Sequence, residues 1–130
     1  MSTDQTKRKE LSRRWIEAFN ARNLSQLDEL ADEMNDKDCI LHDPSFPYVG
    51  RGPAAAKELA HQIVKENSHI HITMEEFFGE GDKTATRLTV RTTSASTGKT
   101  TSVPVLAIDH WAGNKVVEEW ELGGPPEEQH

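Results

Sequence analysis

Ser68-His69-Ile70-His71-Ile72-Thr73-Met74 is the stretch where the chain changes its period. Ile70, Ile72 and Met74 alternate with His69, His71 and Thr73, the two-residue repeat of a half-buried strand. Upstream of it the apolar positions keep a helical period. Leu11, Trp15, Ala18 and Phe19 fall at i, i+4, i+7 and i+8, which predicts a helix over 7–22. Asn23 is expected to end that helix in a left-handed conformation, and Ser25 with Asp28 to cap a second one whose stripe is Leu27, Leu30, Ala31 and Met34. A polar turn over 35–38 precedes a short strand over 39–42, which Pro44 breaks. A Pro- and Gly-containing loop follows, and Gly52-Pro53 opens a third helix with Ala56, Leu59, Ala60 and Ile63 on one face.

Downstream the period stays at two. Turn residues at 79–82, 94–98 and 112–114 separate expected strands over 84–93, 103–111 and 115–122. Helices first and strands afterwards indicate an α+β domain rather than an alternating parallel sheet. The 130 residues fit one domain, with flexible ends expected at 1–6 and 123–130.

Twenty-two acidic against fifteen basic residues give a net charge of -7, which disfavours nucleic acid and anionic membrane surfaces as partners. No apolar run is long enough to span a bilayer, and residues 1–4 lack a signal-peptide pattern, so a cytoplasmic protein is expected. The one cysteine, Cys39, excludes an intramolecular disulfide and reads as a buried, inert thiol.

Three local features, in this order and spacing, resemble the SnoaL-like polyketide cyclase group of the NTF2-like superfamily. They are Trp15-Ile16-Glu17-Ala18-Phe19-Asn20-Ala21-Arg22-Asn23, the loop from His42-Asp43-Pro44 to Gly50-Arg51-Gly52, and Gly113-Asn114-Lys115-Val116-Val117-Glu118-Glu119-Trp120. The resemblance covers about residues 8 to 122. It implies an NTF2-like cone-shaped barrel, with N-terminal helices packed in a curved antiparallel sheet, an internal pocket for an apolar small molecule, and a homodimer formed through the sheet. Similar proteins include polyketide cyclases, ketosteroid isomerases, epoxide hydrolases and dehydratases. Many relatives place an aspartate a few residues after the final tryptophan, where this chain has Gly123 and Gly124.

Strict alternation from Val116 places Glu118, Trp120 and Leu122 in one apolar row, so Glu118 is the expected acid/base, its pKa raised by burial. His42 is a ready proton carrier, and in similar proteins this histidine faces the cavity. Arg87, His110 and Tyr48 are expected to polarise a substrate oxygen. Trp15, Phe19, Met74, Leu106 and Trp120 are expected to line the pocket with Tyr48, while Glu119 and Glu121 read as a solvated face. Neither a metal nor a cofactor is expected: His69 and His71 share a face, but no ligand motif supports a metal, and no Gly-x-Gly pair has dinucleotide context.

Two functions fit this reading. One is a cofactor-independent enzyme that moves protons on an apolar substrate. The other is a small-ligand-binding or dimerisation module with the same cavity and no reaction.

Overall fold

The computed structural model describes residues 3–44 and 50–129. Three helices, α1 (Thr3–Asn20), α2 (Leu24–Met34) and α3 (Gly52–Glu66), pack against a sheet built from β1 (Asn35–His42), β2 (Asn67–Glu80), β3 (Lys83–Ser94), β4 (Thr100–Ala112), β5 (Lys115–Gly123) and β6 (Glu127–Gln129). The sheet order is β1-β5-β4-β3-β2, with β6 also on β4. The run from β2 to β5 is an antiparallel meander, as expected, but β1 joins β5 in parallel, so the sheet is mixed.

The junction between α1 and α2 uses different residues from those the sequence singles out. Arg22 takes the left-handed conformation (φ 54°) instead of Asn23, and its guanidinium donates to the carbonyls of Val64 and Asn67. Those two bonds offset the strain of a side chain in that region. Asn23 is the N-cap of α2, its side chain accepting from the Gln26 amide at 3.1 Å. Gly52 starts α3 with φ 74°, and a Cβ there would lie 2.3 Å from the Lys37 carbonyl oxygen, so only glycine fits. The segment 35–38 continues as strand because β1 finds β5 to pair with, a tertiary contact that local turn chemistry does not report.

Leu11, Phe19, Leu27, Leu30, Ala60, Val64, Ile70 and Trp111 form the centre of the core between helices and sheet. The free edge of β2 is closed at Ile72, whose amide donates to the Asn20 side chain and whose carbonyl accepts from it. At the other end of α1, Arg8 is buried and donates to the turn carbonyls of Gly81 and Gly113, with its guanidinium 5.7 Å from the Trp111 ring. Thus α1 is fastened to both hairpin ends.

Two of the tail residues expected to fray, Gly123 and Gly124, instead turn the chain onto Pro104, and 127–129 pair with Thr100–Ser102 as β6. A Cβ on Gly124 would lie 2.8 Å from the Pro104 ring. Glycine at 124 therefore permits this close crossing.

Candidate functional site

Which face of β5 each acid occupies is decided by one residue. Glu118 pairs with His110 and Val116 pairs with Trp111, so β4 advances by one while β5 advances by two. Val117 is the extra residue of a β-bulge. Past the bulge every side chain of β5 changes sides: Val116 is buried in the core, whereas Glu118, Trp120 and Leu122 lie on the outer face and Glu119 and Glu121 face the helices. The expected burial of Glu118 beside Trp120 is corrected accordingly, as is the expected solvation of Glu119 and Glu121.

On the outer face the structure does bring His42 and Glu118 together. His42 Nε2 lies 2.7 Å from Glu118 Oε2, and the imidazole stacks on Trp120 with centroids 5.3 Å apart and planes 13° from parallel. Both side chains keep solvent contact and point away from the interior. His110 sits on the same face, bonded through Nε2 to Asp82 at 2.8 Å, a contact that holds the Asp82 carboxyl below its usual range. Arg87 is outside too, paired with Glu76 at 2.8 Å. Leu106 and Trp120, expected to line a pocket, are 42% and 37% exposed on this outer surface. The four expected catalytic residues thus share a face, but it is the outside of the sheet.

Of the remaining expected pocket residues, Phe19 is fully in the core, and Trp15 packs edge-on against it at 5.2 Å while staying half-buried. Met74 is half-buried, directly opposite Leu88 on the inner face. Tyr48 lies outside the described residues.

The inner face carries an acid group that the sequence reading passed over. Asp109 is 6% exposed and stands opposite Glu119, with Glu121 opposite Ala107 on the same row. Desolvation pushes the Asp109 carboxyl up to about 6, opposed by a hydrogen bond from Glu119 and reinforced by the charge of Glu121. Glu119 is raised well above the usual range, first by desolvation and then by Asp109. Glu121 is raised likewise, by desolvation and by Glu119 and Asp43. Asp109 Oδ1 has no hydrogen-bond partner among the described residues. Cys39, inward on β1 near the same acids, is pushed up to about 12 by desolvation and their charges, which fits an inert thiol.

A signal for this group exists in the sequence. Asp109 interrupts the row Val103, Val105, Ala107 and Trp111. The competing row of β4, Leu106 and Ile108, is equally apolar, so alternation alone leaves open which is inside. No group of three or more His, Cys, Asp or Glu among the described residues is placed to hold a metal ion.

The family model of the SnoaL-like domain matches residues 12–119, and the chain belongs to that family. Solved structures agree on the NTF2-like fold. TsrD from Streptomyces laurentii superposes with a TM-score of 0.79 at 17% identity, over 94% of this chain and 91% of its own. A protein assigned as a SnoaL-like polyketide cyclase from Jannaschia sp. CCS1 gives 0.79 at 15% identity, over 95% and 89%. A Catenulispora acidiphila protein of ketosteroid isomerase-like fold, crystallised with trimethylamine, gives 0.74 at 13% identity, over 86% and 83%. No curated protein sequence matches the chain.

Proposed function

We propose that this SnoaL-like domain holds an apolar small molecule between its helices and its sheet and moves a proton on it, with Asp109 as the base. The observation that carries this reading is the buried, unpartnered Asp109 oxygen, on a residue directly opposite Glu119 of β5. A carboxylate whose pKa is raised toward neutrality accepts a proton from carbon more readily than an ordinary one. Glu119 and Glu121, whose carboxyls burial shifts toward the protonated form, stand beside it along the row and relay protons. Isomerisation, dehydration and aldol-type cyclisation of a polyketide-, steroid- or terpenoid-like substrate all fit such a site, and none needs a cofactor.

The outer face has a separate role in this proposal. Leu106, Ile108, Trp120 and Leu122 form an exposed apolar surface, with His42, Glu118, His110 and Arg87 around it, and a second copy of the chain covers it as a homodimer. Glycine at 123 and 124 favours the competing reading, a ligand-holding module without turnover.

Incubating the small molecule extracted from the purified protein with fresh protein in D2O, and following deuterium at carbon by mass spectrometry, separates these readings. Exchange is expected with the native chain and with Glu118→Gln, and a loss of about 100-fold or more with Asp109→Asn. Undiminished exchange in Asp109→Asn rules out Asp109 as the base, and no exchange in the native chain leaves the binding module.

A further inference from the structure

Resting on the proposed interior site, we infer that its ligand is an organic cation, an apolar amine bound as its ammonium ion against Asp109, Glu119 and Glu121. Among the described residues the groups that face these carboxyls carry no positive charge: Asp109 from β4, Glu119 and Glu121 from β5, Cys39 from β1, Asp43 just beyond it, and the buried Thr84 of β3 opposite Asp109. Every charged neighbour that acts on the three is negative. The one deeply buried arginine, Arg8, is spent on the turn carbonyls of Gly81 and Gly113.

A site of this composition repels a carboxylate or phosphate. It suits a group that is itself positive. Asp109 Oδ1, buried and unpartnered, is the acceptor that an ammonium N–H would satisfy. Beside the acids the inner row of β3 carries the buried hydroxyls of Thr84, opposite Asp109, and Thr86, opposite Ala107; farther along, the inner rows are apolar, with Val105 on β4, Leu88 and Val90 on β3 and Met74 on β2, so the rest of the ligand is hydrocarbon. The net charge of -7 also draws cations toward the molecule.

Hexylamine and hexan-1-ol have the same length and differ in charge, which makes them the test pair. By titration calorimetry at pH 8, hexylamine is expected to bind at least tenfold more tightly than hexan-1-ol. It should also release protons, read from the dependence of the heat on buffer ionisation enthalpy, and weaken as the pH falls to 5, where the acids keep their protons. Asp109→Asn with Glu119→Gln should bring the amine down to the affinity of the alcohol. Alcohol binding equal to or tighter than amine binding overturns the cation while leaving the pocket in place. Binding of neither probe overturns the cation and the pocket together. The comparison on the native chain alone decides the matter should the double variant fail to fold.

Discussion

Asp109 shows what the burial of one carboxyl costs the fold. Its folded pKa lies above the unfolded value, so the native state holds the proton more firmly, and stability is greatest below pH 4 as far as this group is concerned. It declines as the pH rises from about 4 through 6, by on the order of 2 to 3 kcal/mol for this residue. Glu119 and Glu121, raised in the same direction by burial, add to the decline. Asp109→Asn is therefore expected to flatten the profile, gaining stability over the native chain at pH 8 and none at pH 4. Urea midpoints at both pH values check this, and an unchanged slope would show that the carboxyl is not desolvated. Glu118, by contrast, reads as buried only because alternation is counted from Val116 without the extra Val117, a backbone irregularity that carries no residue signature.

At the scale of elements, α1 does two jobs. Its Leu11, Ala18 and Phe19 stripe was legible from spacing, whereas the burial of Arg8 was not, because a charged residue near a helix start ordinarily faces water. Here its donors meet two turn carbonyls that come from hairpins far along the chain. Arg8→Met keeps the aliphatic stem and removes the donors. It should lower stability by about 2 to 4 kcal/mol in urea unfolding and speed amide exchange in the first turns of α1. A loss under 0.5 kcal/mol would mean that the two carbonyls find water instead. The strands after residue 67 were also legible in type, but their faces were not: β4 is apolar on both sides, and only its partners select the side that is buried.

For the whole molecule, the proposed dimer uses the outer sheet face. Phe78 and Leu122 are 62% and 57% exposed on a surface that also carries Leu106, Ile108 and Trp120. Light scattering of the native chain should give a dimer, and Leu106→Glu with Leu122→Glu, at facing positions on β4 and β5, should give a folded monomer. A native monomer at tens of micromolar would remove the proposed interface. No helix among the described residues is long and apolar enough to cross a membrane. By itself the sequence determined the element order and the α+β class, because helical and strand periods are local properties of side-chain spacing. The tertiary structure alone decided which acids are inside. A single bulge exchanges the two rows of β5, and whether a carboxyl sits in water or in the core depends on what the facing strand and helices present to it.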